Sequence, residues 1–322
     1  MAVIAVTLGD PSGIGPEIVL KSLIRNPDLR SQVVAVGSSR SLKNAALTLG
    51  IKDVPDDIKV MDVAGPISIT GKAGPESGSI AVRSIEIATR MALDKEVDGI
   101  CTAPISKESI RMAGSRYIDH TEMLKSLTDS EWNSTIFESG TLRIFFLTKH
   151  LSLIRALKSL NRTMIEQGLE EAMVSMHLLG IENPRIAVAA VNPHGGESGL
   201  LGQEEIDILA PSISKMRERM NVSGPFPADS VYYRASKGEF DLVVSPYHDQ
   251  GHIAAKMLDF HGTVSMNLGL PFLRTSVDHG TAFDIAGKGI ASEESITMAI
   301  MKCIQLSEKY RKNYSRIFSG ST

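Results

Sequence analysis

Hydrophobic positions alternate along the chain between short continuous runs and longer segments with apolar residues at spacings of three and four. Continuous runs are typical of strands buried on both faces, and the spaced pattern is typical of amphipathic helices. The alternation predicts an α/β fold with a parallel sheet flanked by helices. Strands are predicted at residues 3–8, 33–36, 100–102, 144–147, 186–191, 242–245 and 263–268. Helices are predicted at residues 16–25, 79–93, 163–179, 204–219 and 292–305.

The chain length predicts two domains, because 322 residues exceed the ~150 that are typical of one domain. Turn-forming residues concentrate at 114–121 and 128–133, and again at 269–280. If the chain crosses between domains at both places, its middle is an inserted domain. We therefore expect a discontinuous α/β domain of residues 1–125 with 270–322, and an inserted α/β domain of residues 126–269.

Composition and charge exclude several classes of protein. The 34 Lys and Arg residues against 37 Asp and Glu give a net charge of −3, which does not favour nucleic acid as a partner. The two cysteines, Cys101 and Cys303, lie in apolar stretches and argue against a disulfide scaffold. The first residues lack the pattern of a signal peptide, and no apolar run approaches the ~18 residues that span a bilayer. We expect a cytoplasmic protein without a membrane segment.

Three of the eight histidines, His150, His194 and His248, each come just after an apolar run. Ligands bind beyond the carboxyl ends of parallel strands, so these imidazoles can converge. Imidazole is also the commonest protein ligand for transition metals. The alternative is that each is an ordinary loop residue. Their polar, turn-rich neighbours favour a functional site.

The remaining histidines carry weaker signals. His252 lies four residues after His248, but the metalloprotease pattern fails because Asp249 stands where that pattern has Glu. We expect His252 to support a ligand or to face a substrate at most, and His177 and His261 to be structural.

Candidate anion-binding residues lie near the presumed site. Thr121 precedes a helical stretch at 123–127, where it can cap the helix and present its hydroxyl to an anion. A plain helix cap is the alternative. Lys256 lies two turns beyond His248, and Arg274 has the shape for a bidentate grip on phosphate. Either cation can instead be an ordinary surface charge.

Two loops bear on a nucleotide cofactor. Residues 8–17 join a strand to a helix but match neither G-x-G-x-x-G nor the P-loop, so a standard Rossmann or P-loop site is excluded. Residues 278–291 resemble the adenosine-binding loop of the isocitrate and isopropylmalate dehydrogenase class. In that class an acidic residue at the place of Asp284 binds the ribose diol and repels a 2′-phosphate, which implies NAD over NADP. Ser292 stands where the relatives have Asn.

The whole chain resembles the 4-hydroxythreonine-4-phosphate dehydrogenase (PdxA) family. The matching segments are residues 7–17, 101–104, 120–122, 192–194, 247–251 and 269–282. The resemblance implies a two-domain α/β/α architecture of the isocitrate/isopropylmalate dehydrogenase type, with the active-site cleft between the domains. It also implies a homodimer with shared active sites, in which the inserted domain carries the interface and most metal ligands.

The resemblance also implies roles for individual residues. One divalent metal ion, Zn, Mn, Co or Mg, is expected on His150, His194 and His248. The phosphorylated substrate is expected on His120, Thr121, Lys256, Ser265 and Arg274. NAD is expected on His279, Gly280, Asp284, Ile285 and Ser292. Lys256 is a candidate for proton transfer or serves only to hold phosphate, and Asp249 is a candidate partner of an imidazole or a proton relay.

One departure from the family bears on the substrate. Biosynthetic members carry Asn-x-Thr where this chain has Ser265 and Asn267, and the shorter Ser265 cannot offer both an amide donor and a carbonyl acceptor. Residues 248–256 and 282–286 look more like a catabolic branch that acts on 4-phospho-D-threonate and 4-phospho-D-erythronate. That branch implies oxidation at C3 by NAD with loss of CO2, which yields dihydroxyacetone phosphate.

Three alternatives remain open. The first is 4-phosphohydroxy-L-threonine dehydrogenase of pyridoxal 5′-phosphate biosynthesis. The second is a non-catalytic protein that binds phosphosugar acids. A third branch of the family oxidises cis-dihydrodiols of aromatic dicarboxylates, but its members lack the His-Thr-Glu of residues 120–122, which argues against it.

Overall fold

Strands form at the short apolar runs, because aliphatic and β-branched residues pack well on a pleated surface that is covered on both faces. In the computed structural model, which describes residues 1–65 and 71–318, the strands belong to two compact units. The first unit comprises Met1–Asn133 with Val264–Thr322, and the second is Ser134–Thr263.

The first unit is built on a mixed sheet. Its described strands are β1 (Ile4–Thr7), β2 (Val33–Gly37), β3 (Lys59–Asp62), β4 (Gly99–Thr102), β10 (Val264–Leu268) and β11 (Leu273–Ser276). Their order is β3-β2-β1-β4-β11-β10. Neighbours run parallel except β10 and β11, which pair antiparallel and place Asn267 opposite Arg274.

Helices cover both faces of this sheet. They are α1 (Gly15–Arg25), α2 (Ser39–Thr48), α3 (Pro75–Leu93), α4 (Lys107–Met112), α5 (His120–Leu127) and α11 (Glu294–Phe318). Helix α3 packs with the side chain of Ile100 in one buried apolar cluster. A Cβ at the preceding Gly99 would lie 2.9 Å from Cys303 Sγ of α11, so α11 packs on the opposite face.

The strands of the second unit also run in mixed directions. Its described strands are β5 (Ser134–Ser139), β6 (Leu142–Phe146), β7 (Ile186–Ala189), β8 (Val222–Phe226) and β9 (Leu242–Ser245), in the order β5-β6-β9-β7-β8. Only β5 and β6 pair antiparallel among them. The helices are α6 (Leu153–Ser159), α7 (Arg162–Leu178), α8 (Ala210–Met216), α9 (Ala228–Ser236) and α10 (His248–Leu258). In the described parts of the chain, residues 1–65 and 71–318, no helix is long and apolar enough to span a bilayer.

The predicted α/β fold is confirmed, and each predicted strand is present with its bounds shifted by a few residues at most. The expectation of a purely parallel sheet is wrong, because β10–β11 and β5–β6 are antiparallel. Four strands were not predicted, β3, β5, β8 and β11. Strand β3 is largely exposed and β8 contains Gly and Pro, so neither has the apolar run of a buried strand.

Two further expectations differ from the structure. The helix predicted over residues 204–219 is a π-helical turn, Glu205–Leu209, followed by α8. The predicted loop 269–280 contains β11, and the chain passes between units after Asn133 and Thr263 rather than after residues 125 and 269. The second crossing comes earlier than predicted because β10 pairs with β11 in the first unit.

Candidate functional site

Three histidines lie just beyond the carboxyl ends of three neighbouring strands in the second unit. His150 follows β6, His194 follows β7, and His248 opens α10 after β9. Strand β9 lies between β6 and β7, and it runs parallel to both. The three side chains therefore leave the sheet at the same edge, where α/β folds bind ligands.

Two of these three imidazoles are neighbours. The ring centroids of His150 and His248 are 5.7 Å apart. His194 lies elsewhere along the edge, with its Nδ1 4.0 Å from Asp229 Oδ2. Within residues 1–65 and 71–318, no three His, Cys, Asp or Glu side chains form a group that could hold a metal ion. The donor type and the common sheet edge fit a divalent metal, and the three-histidine site stays a prediction.

Asp249 orients the ring of His248. The Nδ1 of His248 lies 2.7 Å from Asp249 Oδ1. A carboxylate accepts a hydrogen bond, so Nδ1 carries the proton and the lone pair is on Nε2. Asp249 is thus the partner of an imidazole, as the sequence suggests, and it leaves Nε2 of His248 as the nitrogen that can accept from or bind a ligand.

An open pocket of about 150 Å³ is lined by residues that include His150 and His248. Its lining includes Lys149, a residue that sequence reasoning did not single out. Burial lowers the pKa of the Lys149 ammonium, and the charge of Glu171 opposes this shift in part. Lysines are ordinarily surface residues, so no local pattern marks this one as partly buried.

His194 lies in a turn of left-handed backbone. Its φ is 52°, and the φ angles of the four residues that follow it, Gly195 to Ser198, are also positive. Glycine adopts this conformation freely, but each of the three other residues costs on the order of 1 kcal/mol. Such a turn persists only where its surroundings hold it.

Glu205 holds the start of that turn. Its Oε1 accepts hydrogen bonds from the backbone N–H groups of Val191 and Asn192 at 2.8 Å each, and its Oε2 accepts one from Asn192 Nδ2 at 2.8 Å. The buried carboxylate is placed by the π-helical turn Glu205–Leu209, a geometry that is common at functional sites. Sequence reasoning missed Glu205, because the adjacent Glu204 has the same chemistry and is exposed.

Helix α10 carries the two other polar residues that the sequence singled out in this unit. Lys256 lies two turns after His248, and its Nζ is 5.5 Å from the ring centre of Phe260. His252 is buried, and its ring lies 4.0 Å from that of His248 and stacks on Phe146 at 4.8 Å. His252 thus packs behind His248.

In the first unit, Arg274 is a buried cation on β11. Its Nε and Nη2 donate to Thr102 Oγ1 at 3.0 and 2.6 Å, and its Nη1 donates to Asn267 Oδ1. Burial lowers the pKa of the guanidinium to about 10, so the group stays charged at neutral pH. Ser265 and Asn267 alternate with Met266 on β10 and therefore share the face on which Arg274 lies. The positive charge meets neutral oxygens in these contacts and can attract an anion.

His120 and Thr121 lie in the first turn of α5. The expectation that Thr121 caps this helix is wrong, because the side chain of Asp119 accepts the hydrogen bond from the Glu122 N–H at 3.0 Å. Burial, and then the charge of Arg274, hold the pKa of His120 well below its usual value. Its Nε2 is buried and has no hydrogen-bond partner among the described residues. His120 is therefore a neutral imidazole next to Arg274, not the cation that a phosphate site suggests.

The residues expected to bind NAD lie on one segment between β11 and α11. His279, Gly280, Asp284 and Ser292 are exposed, and Ile285 is partly buried. The Ile285 N–H donates to Ala282 O at 3.1 Å and closes a turn that leaves the Asp284 carboxylate in solvent. An exposed carboxylate on an ordered loop fits the ribose contact expected of it.

The family model described as pyridoxal phosphate biosynthetic protein PdxA matches residues 15–303. The chain belongs to the PdxA family. A D-threonate 4-phosphate dehydrogenase of Pectobacterium atrosepticum is 41% identical over 322 residues, which cover 94% of this chain and 99% of the relative. A protein of the same name from Salmonella typhimurium is 39% identical, covering 94% of this chain and 98% of the relative.

Solved structures confirm the architecture of this PdxA-family chain. A crystal structure of 4-hydroxythreonine-4-phosphate dehydrogenase from Klebsiella pneumoniae is similar with a TM-score of 0.86 and 39% identity. The match covers 95% of this chain and 98% of that one. The predicted two-domain α/β fold and the predicted family are both confirmed, and the chain is accordingly a dehydrogenase of the PdxA family.

Proposed function

We propose that this PdxA-family chain oxidises the C3 hydroxyl of a 4-phosphorylated 3-hydroxy acid with NAD and releases CO2. The proposed substrates are 4-phospho-D-threonate and 4-phospho-D-erythronate, and the products are dihydroxyacetone phosphate, CO2 and NADH. The full-length likeness to two D-threonate 4-phosphate dehydrogenases supports this substrate class. The structural observation that carries the proposal is the buried charge of Arg274 beside His120.

The phosphate group is assigned to Arg274 and the start of α5. A buried guanidinium whose hydrogen bonds go to Thr102 and Asn267 keeps a net positive charge in a low dielectric. A phosphate dianion offers the compensating charge, and guanidinium and phosphate match in geometry. The buried Nε2 of neutral His120 supplies one N–H or one lone pair to the same ligand. Thr121 and Ser265 complete the proposed substrate contacts with hydroxyl groups.

A divalent metal is assigned to His150, His194 and His248. A bound divalent cation supplies Lewis acidity, which lowers the pKa of an alcohol and polarises the ketone formed from it. Asp249 sets the tautomer of His248 for this role. The set of nitrogen ligands suits Zn, Mn or Co better than Mg.

The chemical step moves one hydride, one proton and one CO2. NAD held by residues 278–292 would accept the hydrogen on C3 as hydride, and the hydroxyl proton would pass to a protein base. The bond between C2 and the carboxylate then breaks, its electrons stay on C2, and C2 receives a proton. Lys256 is assigned to these proton transfers because it stands on α10 two turns from His248. The nucleotide is assigned to residues 278–292, where the exposed Asp284 favours NAD over NADP.

The second candidate is the biosynthetic reaction on 4-phosphohydroxy-L-threonine. The likeness to the Klebsiella pneumoniae protein of that activity favours it. Ser265 favours the phosphorylated hydroxy acids as substrates, because this chain has a hydroxyl group at the position where biosynthetic members have an amide.

NADH formation decides between these functions. Initial rates are measured with 4-phospho-D-threonate, 4-phospho-D-erythronate and 4-phosphohydroxy-L-threonine, with D-threonate as the control that lacks phosphate. We expect the highest kcat/KM with the two phosphorylated hydroxy acids, loss of rate with a chelator, and a much lower rate with NADP. A higher kcat/KM for 4-phosphohydroxy-L-threonine would favour the biosynthetic reaction. If no substrate yields NADH, the remaining candidate is a non-catalytic protein that binds phosphosugar acids.

We also propose a homodimer formed by the second unit. Helices α6 and α10 expose large apolar side chains, among them Ile154 (68% exposed), Ile253 (64%) and Met257 (82%). Large apolar side chains exposed on the surface in this way are typical of a protein interface. A second copy of the chain is the partner that the family resemblance implies.

A further inference from the structure

The glycine-rich segment of residues 8–17, which follows β1 and ends in the first turn of α1, lies against the loop proposed to bind NAD. The N–H of Ile14 donates to Thr281 O at 3.0 Å. A Cβ on Gly13 would lie 2.8 Å from the same oxygen, closer than real Cβ atoms approach. The segment carries no phosphate-binding pattern, and its glycine instead allows one end of the loop to lie against the start of α1.

Glu17 and Lys21 hold the other end of that loop. Glu17 Oε1 and Oε2 accept from the N–H groups of Ala291 at 2.9 Å and Gly289 at 3.3 Å. Lys21 Nζ donates to the carbonyl oxygens of Gly289 at 2.8 Å and Ala291 at 2.7 Å. The two side chains also pair with each other at 3.0 Å. One ion pair thus satisfies four backbone groups of the loop.

The pair is buried, which makes its contribution sensitive to either partner. The side chains of Glu17 and Lys21 are only 4% and 13% exposed. When one member of a buried pair is removed, the other is left as an uncompensated charge and the loop groups lose their partners. Because α1 is a regular helix from Gly15 to Arg25 with Pro16 in its first turn, it provides a rigid support for both side chains.

We propose that Glu17 and Lys21 are positioning residues for the nucleotide. They hold Gly289 and Ala291, while Ile14, the residue before α1, holds Thr281, so that the intervening loop keeps the shape that binds the adenosine part of NAD. The inference rests on the proposed function, in which this loop binds NAD. It explains the strand-to-helix motif of residues 8–17 without a direct contact to phosphate.

The test compares Lys21→Met and Glu17→Gln with the wild-type chain. NADH binding is titrated by its fluorescence in the absence of substrate, and kcat and both KM values are measured. We expect Kd and KM for the nucleotide to rise at least about tenfold, which is ~1.4 kcal/mol. The kcat at saturating NAD and the KM for the phosphorylated acid should stay within about twofold. Lys21→Arg keeps the charge and should recover part of the affinity.

Arg25→Met is the matched control. Arg25 lies one turn further along α1 and pairs with Glu293, so this variant disturbs the same helix without touching the peptide groups of the loop. It should bind NADH like the wild type. An equal loss of affinity in Arg25→Met and Lys21→Met would overturn the inference, since it would mean that general loosening of α1 lowers affinity.

A second measurement does not depend on the variants being folded. Hydrogen exchange of the nucleotide-free wild type should show protected amides at Gly289 and Ala291, and rapid exchange there would overturn the inference. If the wild type binds NADH and Lys21→Met binds it equally well, the inference fails while the proposed function stands. If the wild type binds no NADH, the proposed function itself fails.

Discussion

Burial has different consequences for the two basic side chains assigned to phosphate. Arg274 keeps its charge at neutral pH, because burial lowers its pKa only to about 10. His120 starts from a lower value, so burial and the charge of Arg274 leave it neutral. The positive charge of this part of the site therefore comes from one residue.

Arg274→Lys should lower kcat/KM for the phosphorylated acid by about 10- to 100-fold, because lysine keeps the charge but loses the planar fork. The rates of NADH formation measure the effect. Arg185→Lys, at a half-exposed pair with Asp241 in the second unit, is the matched control and should leave kcat/KM unchanged. Wild-type kcat/KM in Arg274→Lys would remove Arg274 from the phosphate site.

The neutral state of His120 predicts a pH dependence of stability. The unfolded imidazole takes up a proton below pH ~6.5, whereas folded His120 stays neutral to lower pH. The unfolded state then binds more protons, so the free energy of unfolding falls as the pH drops below ~6.5, by up to about 1.4 kcal/mol per unit.

Denaturant unfolding of the substrate-free chain between pH 7 and pH 5 measures this slope. His120→Gln should reduce the slope, whatever its effect on stability at pH 7. The exposed His261→Gln is the control for loss of an imidazole. An unchanged slope in His120→Gln would contradict the assignment of a neutral buried imidazole.

At the scale of elements, the turn that carries His194 depends on a contact from another element. Its left-handed residues are not stable in isolation, and the π-helical turn Glu205–Leu209 supplies the carboxylate that binds the backbone before them. The position of one proposed metal ligand is thus set by the distortion of a separate helix.

Glu205→Gln should weaken this support, because an amide offers one acceptor where the carboxylate offers two. We expect the free energy of unfolding to fall by about 1–3 kcal/mol and the Kd for Zn²⁺, measured by calorimetry, to rise about tenfold. Glu204→Gln is the matched control, since Glu204 is exposed and accepts its hydrogen bond from the Asn192 side chain, whereas Glu205 also binds backbone N–H groups. Equal Zn²⁺ affinity in Glu205→Gln and the wild type would contradict the role of Glu205.

At the scale of the whole molecule, each unit carries a different part of the proposed chemistry. The second unit contains the three histidines and Lys256, and the first contains Arg274, His120 and the nucleotide segment. The net charge of −3 is consistent with local attraction of a small dianion rather than a broadly basic surface.

The exposed apolar side chains of the second unit predict its oligomeric state. Ile154→Glu and Met257→Glu should convert a homodimer into monomers, because each places a charge on the proposed interface. Light scattering after size-exclusion chromatography gives the mass. Met301→Glu, at an exposed apolar position on α11, is the control and should remain dimeric. A monomeric wild type would refute the homodimer.

The sequence by itself determined the fold class, the positions of the seven strands that have apolar runs, and the placement of three histidines at strand ends. These features depend on the spacing of apolar residues along the chain, because that spacing indicates which side chains are buried in a strand or helix. The resemblance of residues 278–291 to an adenosine-binding loop is also visible in the sequence, because the matching residues are contiguous in the chain.

Only the tertiary structure decided which polar groups meet. The bond between Glu17 and Ala291, the pairing of Asn267 with Arg274, and the support of Asn192 by Glu205 join residues from different elements. No local pattern distinguishes Glu205 from Glu204, or Asp119 from Thr121 as a helix cap. Which residue of such a pair makes the contact depends on the tertiary structure. A polar group that becomes buried needs a hydrogen-bond partner, and the fold determines which partner is within reach.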